Sequence, residues 1–97
     1  MKKVSVTARV RARKGMEDEV RRECLALVQP SRAEKGCINY DLHQSVDDAG
    51  LFLFYENWES REDLERHLAT AHALAFDERT RDMLVEDEEI TFWEMIG

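Results

Sequence analysis

The spacing of hydrophobic residues changes several times along this 97-residue chain, and the order of the changes restricts the fold. From Val4 to Ala12 every second residue is apolar, which is the period of a β-strand. Apolar positions from Met16 to Val28 recur at helical spacing, and the acidic residues 17–19 lie where the dipole of a helix favours them. The chain therefore begins with a strand and a helix.

The next part of the sequence predicts a break in this helix and then a β-hairpin. Because proline lacks a backbone N–H, we expect the helix to kink or break just before Pro30 and to finish in a short turn near Gly36. Strands are predicted from Cys37 to Val46 and from Leu51 to Trp58. Residues 47–50 (DDAG) supply the chemistry of a tight turn between them.

The second half of the chain predicts more helix and a last strand. Ser60 and Asp63 form a variant capping box at the start of a second helix, whose apolar stripe is Leu64, Leu68 and Ala71. A further helical segment spans about 72–84, and its predicted buried positions are Leu74 or Ala75, Phe76, Thr80, and Met83 or Leu84. The acidic residues 86–89 make a solvated connection to a strand over 90–96.

The predicted order β-α-β-β-α-β describes one α+β domain over residues 1–97, of ferredoxin-like type with an antiparallel sheet. Two strands of this sheet are apolar on both sides. The third carries Leu51, Leu53 and Tyr55 on one side and Phe52, Phe54 and Trp58 on the other, and the fourth carries Ile90, Phe92 and Ile96 against Trp93 and Met95. Two helices cover only one face, so we expect a second copy of the chain to cover the other. The alternative is that the acidic connection or the C-terminus folds over it.

The charge of the chain argues against binding to nucleic acid or to an anionic membrane surface. Fourteen Lys and Arg residues stand against 21 Asp and Glu, which gives a net charge of −7. A basic cluster at the end of the first strand is interpreted as a solvated rim; it consists of Arg9, Arg11, Arg13 and Lys14. We therefore expect neither nucleic acid nor membrane as a partner.

The cysteines and the ends of the chain indicate a reducing compartment. Cys24 and Cys37 have neither C-x-x-C nor metal-ligand spacing, and the charged start of the chain does not read as a signal peptide. No apolar run approaches the roughly 20 residues that a membrane span needs. These features predict a cytoplasmic protein.

Two histidines are candidates for proton chemistry. His67 falls on the predicted buried stripe of the second helix, where its imidazole could transfer a proton near neutral pH or could simply be a satisfied core residue. His72 follows five residues later, and in an unbroken helix the two side chains would lie about 140° apart, so they could not share a metal ion. If the helix breaks around residues 70–71, both imidazoles could approach one pocket, or His72 could cap the next segment.

Polar residues on the predicted strands are further candidates. Glu56 shares its strand face with Phe54 and Trp58, so its pKa could be perturbed by burial, although pairing with an arginine is equally compatible with the sequence. Asn39 and Tyr40 could hydrogen-bond a ligand or remain ordinary strand residues. The sequence contains no nucleotide-binding loop and no serine-hydrolase pattern.

Three segments form a recognisable set, namely residues 36–43 (GCINYDLH), 54–60 (FYENWES) and 67–72 (HLATAH). Together they resemble the antibiotic biosynthesis monooxygenase family, especially its small bacterial members described as quinol monooxygenases. The resemblance covers the whole chain in order. It implies a dimeric α/β barrel made from two sheets packed face to face, with a pocket between the sheet and the helices of each subunit. His67, Glu56 and Trp58 match the motif and are carried over as site residues.

The resemblance also implies a chemistry. The family includes cofactor-free oxygenases, in which a deprotonated hydroquinone or phenol itself passes an electron to dioxygen. Such a reaction needs a base, a hydrogen-bond donor and a dry pocket. The expected catalytic residues are His67, Glu56, Asn39 and Tyr40, and the expected substrate-binding residues are Phe52, Phe54, Trp58, His72 and Phe76. No metal, haem or flavin is expected.

Two alternatives to a cofactor-free monooxygenase remain open at the level of sequence. One is an isomerase of a phosphorylated signalling sugar, an enzyme of the same fold that shares the paired-histidine segment. The other is a non-catalytic binder of small aromatic molecules, because a fold by itself does not imply a reaction.

Overall fold

The computed structural model describes residues 2–97 as an antiparallel four-stranded sheet with helices packed on one face. The strands are β1 (Val4–Arg11), β2 (Cys37–Gln44), β3 (Leu51–Trp58) and β4 (Glu89–Trp93), and the helices are α1 (Glu17–Arg32), α2 (Arg61–Leu68) and α3 (Ala71–Thr80). The strand order is β2-β3-β1-β4. The predicted α+β, ferredoxin-like fold is thus confirmed. Among the described residues, no helix has the length and apolar character that crossing a membrane requires.

The core lies between the helices and one face of the sheet, which is the face that carries the apolar alternate residues of β1. Val6, Ala8 and Val10 are all buried and pair with Glu56, Phe54 and Phe52 of β3. Helical residues complete the same cluster, and they include Val20, Cys24, Leu27, Leu64 and Phe76. Since alternate strand residues point to opposite sides, one face of the sheet is covered by this layer and the other is not.

Helix α1 does not break at Pro30. It runs without interruption to Arg32, with Pro30 inside its last turn, so the predicted break is wrong. Proline removes one backbone hydrogen-bond donor, but Leu27, Val28 and Ser31 are buried on both sides of it and hold the turn against the sheet. Burial of the apolar face therefore stabilises the helix by more than the missing hydrogen bond destabilises it.

The second helical region is divided in two, and its caps explain the division. The Ser60 hydroxyl accepts a hydrogen bond from the Asp63 amide at 3.2 Å and so begins α2 as predicted. The Thr70 hydroxyl likewise accepts a hydrogen bond from the Ala73 amide at 3.2 Å and begins α3. The predicted stripe holds only at its start, because Leu64 is buried whereas Leu68 and Ala71 are exposed.

Several element ends differ from the predictions in the last third of the chain. Helix α3 ends at Thr80, although Phe76, Thr80 and Leu84 are buried as expected, while Leu74 is exposed. Strand β4 ends at Trp93, so Met95 and Ile96 do not continue the alternation. They are 83% and 96% exposed. They lie beyond the last residue pair of β1 and β4, Ser5 with Trp93, and β4 is an edge strand.

The outer face of the sheet is mixed in character, and less apolar than the sequence predicted. Leu53 and Tyr55 of β3 are 38% and 40% exposed, and Trp93 of β4 is 54% exposed. Between them β1 presents polar and charged side chains, among them Thr7 and Arg9. Uncovered aromatic and aliphatic surface of this kind is typical of an interface.

We propose that a second copy of the chain covers this outer face. Sedimentation at micromolar concentration should then give twice the 11.4 kDa chain mass. Leu53→Arg should weaken the dimer at least about tenfold, because it places an unpaired charge in the interface. Leu74→Arg, at an exposed position on α3, is the matched control and should remain dimeric. A wild-type protein that sediments as a monomer would contradict the proposal.

Candidate functional site

The His67 side chain is the centre of the candidate site. It lies in the last turn of α2, is 4% exposed and faces the sheet, as its position on the stripe predicted. Its imidazole packs against two aromatic rings of the inner face, with centroid distances of 4.8 Å to Trp58 and 5.4 Å to Tyr40. These rings hold the imidazole in one orientation.

A carboxylate that the sequence did not indicate orients the imidazole further. Oε2 of Glu34 lies 2.7 Å from Nδ1 of His67 and 2.6 Å from Nε2 of His72. A carboxylate only accepts hydrogen bonds, so these two ring nitrogens carry the hydrogens. In the neutral imidazole of His67, Nε2 is then the nitrogen with a free lone pair.

The break between α2 and α3 is what brings the two histidines together. The Thr70 hydroxyl donates to the His67 carbonyl at 2.7 Å, and His72 follows in the first turn of α3. The two imidazole centroids are 5.9 Å apart. The separation expected for an unbroken helix is therefore wrong for this chain, and the alternative of a broken helix is confirmed.

Glu34 is held in place by the turn between α1 and β2. Gly36 closes this turn with a φ of +87°, a conformation that side chains rarely adopt, and a Cβ there would collide with the Asp63 side chain. The Glu59 amide donates to the Gly36 carbonyl at 2.8 Å, which fixes the turn beside the start of α2. Because Glu34 and His67 are 33 residues apart, no local pattern could have revealed the pair.

Glu56 is buried on β3 and has a perturbed acidity. Its side chain is surrounded by the core, and Oε1 accepts a hydrogen bond from Nε1 of Trp58 at 3.0 Å. Burial, with a smaller effect of the Glu34 charge, raises the pKa of Glu56 to about 7, although the bond from Trp58 acts in the opposite direction. Its partner is thus a tryptophan, and the alternative of an arginine partner is wrong.

A cavity of about 100 Å³ lies between the sheet and the helices beside these groups. This volume is smaller than the engineered cavity of about 150 Å³ that accommodates benzene, but a second cavity of about 330 Å³ shares Phe76, Asp77 and Glu88 with it. The lining of the first cavity includes Tyr40, Glu56, Leu64, His67, Phe76 and Glu88. Burial and the nearby Glu56 raise the pKa of Tyr40, so the Tyr40 hydroxyl keeps its proton and can donate a hydrogen bond.

The lining of the cavity is acidic. Glu56, Asp77 and Glu88 all contribute to it, and its lining residues include neither lysine nor arginine. Burial, together with the charges of Asp77 and Glu56, raises the pKa of Glu88 to about 7. Glu88 is half-buried, so the prediction that residues 86–89 form a solvated connection is wrong at this position.

The other predicted site residues are divided between the two faces of the sheet and the core. A bulge between Cys37 and Asn39 sets Asn39 opposite Asn57 on the outer face, where the Asn57 amide donates to Oδ1 of Asn39 at 2.9 Å. Tyr40 therefore faces the cavity and Asn39 cannot, because neighbouring strand residues point to opposite sides. Phe52 is buried in the core but does not line the cavity.

Two further aromatic residues support the lining. Phe54 packs behind Tyr40 with a centroid distance of 5.3 Å and meets the edge of Phe76 at 6.3 Å. Phe54 and Trp58 are fully buried behind the lining residues, whereas Phe76 reaches the cavity itself. Of the substrate-binding residues predicted from the sequence, only Phe76 lines the cavity; Phe54 and Trp58 support it from behind, and Phe52 and His72 are not in its lining.

Comparison with known proteins identifies the family. The sequence model described as antibiotic biosynthesis monooxygenase matches residues 3–79. The chain is 34% identical over 88 residues to "Putative monooxygenase Rv0793" of Mycobacterium tuberculosis, an alignment that covers 91% of this chain and 86% of that protein. It is 30% identical to "Putative monooxygenase YcnE" of Bacillus subtilis, over 84% of this chain and 85% of that protein. It is also 34% identical over 68 residues to "Uncharacterized protein sll1783" of Synechocystis, of whose length it spans 46%.

Solved structures agree with the sequence relatives. PA3566 from Pseudomonas aeruginosa superimposes with a TM-score of 0.93 and 36% identity, covering 100% of this chain and 97% of that one. Rv0793 from Mycobacterium tuberculosis superimposes with a TM-score of 0.91 and 29% identity, covering 98% and 96%. With the family model matching residues 3–79 and the same fold found in these relatives, the chain belongs to the antibiotic biosynthesis monooxygenase family.

Proposed function

We propose that this protein is a monooxygenase that oxidises a small, electron-rich phenol or hydroquinone with dioxygen and needs no organic cofactor. Membership of the family supports a monooxygenase-like role. The observation that carries the finer proposal is the buried His67–Glu34 pair beside a cavity between the sheet and the helices.

The His67 imidazole supplies the base. With Nδ1 bonded to the carboxylate of Glu34, the tautomer is fixed and Nε2 is free to take the proton of a phenolic hydroxyl. The negative carboxylate then stabilises the imidazolium that forms, as an aspartate does in a catalytic triad. The arrangement is therefore suited to taking the proton of a neutral phenol that lies in the cavity.

The phenolate supplies the electrons. It passes one electron to dioxygen, and the resulting radical pair combines to form a bond between a ring carbon and oxygen. The proton held by His67 goes to the outer oxygen and gives a hydroperoxide. The hydrogen on the same ring carbon is then lost as a proton while the O–O bond breaks, so the outer oxygen leaves as water and the ring carbon becomes a carbonyl. One hydroquinone and one dioxygen thus give one hydroxyquinone and one water, with all four electrons taken from the substrate.

Two further groups can stabilise the negative charge that develops in this reaction. The Tyr40 hydroxyl keeps its proton, and Glu56, with a pKa raised to about 7, is partly protonated near neutral pH. Either group can donate a hydrogen bond to an oxygen atom that becomes negative. Phe76 in the lining, with Phe54 packed behind it, gives the cavity an aromatic surface on one side.

The lining of the cavity favours this reaction over the two alternatives. A phosphorylated sugar would bring its negative charge towards Glu56, Asp77 and Glu88, with no lysine or arginine in the lining to receive it. A simple binder of aromatic molecules would not need an imidazole oriented by a carboxylate. A neutral aromatic substrate of one ring and an enzymatic role are what the site supports.

Replacing the proposed base should remove most of the activity. With oxygen uptake measured on a panel of hydroquinones and phenols, His67→Asn should lower turnover by about 10² to 10⁴, the usual contribution of a general base. Asparagine can still hydrogen-bond, so the melting temperature should move by only a few degrees. Glu34→Gln should lower turnover at least about tenfold, since it removes the charge that orients and stabilises the imidazole.

The matched control for these variants is Glu65→Gln, because Glu65 is an exposed residue on α2 that pairs with Arg61 and does not line the cavity. Its turnover should equal that of the wild type. Full turnover by folded His67→Asn would remove this residue from the mechanism and favour the non-catalytic binder. Turnover of a phosphorylated sugar, tested in parallel without oxygen uptake, would favour the isomerase.

The raised pKa of Glu56 should make stability depend on pH. Between pH 4.5 and about 7 the unfolded chain releases this proton while the folded chain keeps it, so stability falls as the pH rises. Glu56→Gln cannot ionise and can still accept the bond from Trp58. Its stability relative to the wild type should therefore be about 2 kcal/mol greater at pH 8 than at pH 5.

Urea unfolding at a fixed protein concentration measures this difference. Glu65→Gln removes an exposed carboxyl group in the same way. Its stability relative to the wild type should be the same at the two pH values. An equal effect of Glu56→Gln at pH 5 and pH 8 would show that Glu56 titrates normally in the folded protein.

A further inference from the structure

One carboxylate and two imidazoles come together beside the start of α3, and these are groups that bind metal ions in proteins. Glu34, His67 and His72 each offer one ligand atom, and these three atoms lie within 4.8 Å of one another. We propose that they bind a divalent transition-metal ion, with Zn²⁺ as the best fit. The expectation that the chain holds no metal depended on an unbroken helix, which the structure does not have.

The three ligand atoms reach coordination distances by rearrangement of their side chains. Zinc bonds to nitrogen and oxygen are about 2.0 to 2.1 Å long, so ligand atoms around a tetrahedral ion lie about 3.3 Å apart. Oε2 of Glu34 is 2.7 Å and 2.6 Å from the two nitrogens, so it must withdraw by about 0.6 Å. The two nitrogens lie within 4.8 Å of each other and must approach by up to about 1.5 Å. The turn fixes the backbone of Glu34, so rotation of its side chain and of the more exposed His72 side chain supplies this motion.

The burial of the three residues supports a site that is firm on one side and open on the other. The His67 side chain is 5% exposed and is held by aromatic rings, whereas the His72 side chain is 26% exposed. An ion can therefore arrive from the side of His72. The fourth coordination position is left for water, as in zinc sites with three protein ligands.

The ligand set discriminates between classes of metal. Two imidazoles and a carboxylate suit zinc and neighbouring transition metals, while magnesium and calcium prefer oxygen ligands alone. Cys37 lies near Glu34, but its sulfur is not among the three ligand atoms that come together.

Metal binding has a consequence for the proposed reaction. When the ion takes the lone pairs of Nδ1 of His67 and Nε2 of His72, the hydrogens now on these atoms move to the other nitrogen of each ring. Nε2 of His67 is then no longer able to accept a proton. This inhibition rests on the proposed function, whereas the binding of the ion does not.

Titration of the full-length, metal-free protein with Zn²⁺ tests the site. Calorimetry should show one ion per chain, and binding should raise the melting temperature by several degrees. Co²⁺ should give the visible absorption of a tetrahedral complex. Glu34→Gln and His72→Ala should each weaken Zn²⁺ binding at least about tenfold, since each removes a ligand. Circular dichroism should show that both variants are folded.

Matched controls separate this site from chance binding. His43→Ala removes an exposed histidine on β2, and Cys37→Ser removes the nearest thiol. Both should bind Zn²⁺ like the wild type, and Mg²⁺ should not bind. Absence of saturable Zn²⁺ binding to the wild type, or unchanged binding by both ligand variants, would overturn the proposal. Zn²⁺ binding without loss of oxygen uptake would leave the metal site standing and contradict His67 as the base.

Discussion

Trp58 connects the hydrophobic core of this protein with its candidate site. Its side chain is fully buried where β3 ends, its ring packs 4.8 Å from the His67 imidazole, and its Nε1 donates to Glu56. Burial of such a side chain contributes a few kcal/mol, which is a large share of the stability of a small domain. The same packing fixes two ionisable groups, so the core and the chemistry of the site share one set of contacts.

The electrostatics of the site follow from this burial. Glu34, Glu56 and Glu88 stand close enough to influence one another, and the apolar surroundings of the last two disfavour their charged forms. Glu34 is different because two imidazole N–H groups bond to one of its oxygens. Glu34 thus accepts two hydrogen bonds, while Glu56 and Glu88 are held near the point of protonation, and perturbed groups of this kind are typical of sites where protons are moved.

The same triad supports two uses that exclude each other at any one moment. When the three side chains are hydrogen-bonded, Nε2 of His67 is free to accept a proton. When they bind a metal ion, Nε2 of His67 carries a hydrogen and cannot accept one. Which of these states prevails would depend on the free concentration of the ion and on its affinity. The break at Thr70 is essential to the metal site, because it lets His72 reach the carboxylate that orients His67.

Much of the fold and part of the site could be predicted because they depend on local patterns. The alternation in β1, the cap at Ser60 and the buried position of His67 are properties of neighbouring residues, and each is found as predicted. The bulge that turns Asn39 outward and the persistence of α1 through Pro30 are not local, since pairing with β3 and burial of the helix decide them.

The sequence by itself determined the order of the elements, the face of the sheet that is buried and the residue types available for proton transfer, because periodicity and propensity act over a few residues. Only the tertiary structure decided that Glu34 meets His67, since the α1–β2 turn and the end of α2 are 33 residues apart and are brought together by packing. The acidity of Glu56 and Glu88 was decided in the same way, because a pKa responds to surroundings that the whole chain must fold to create.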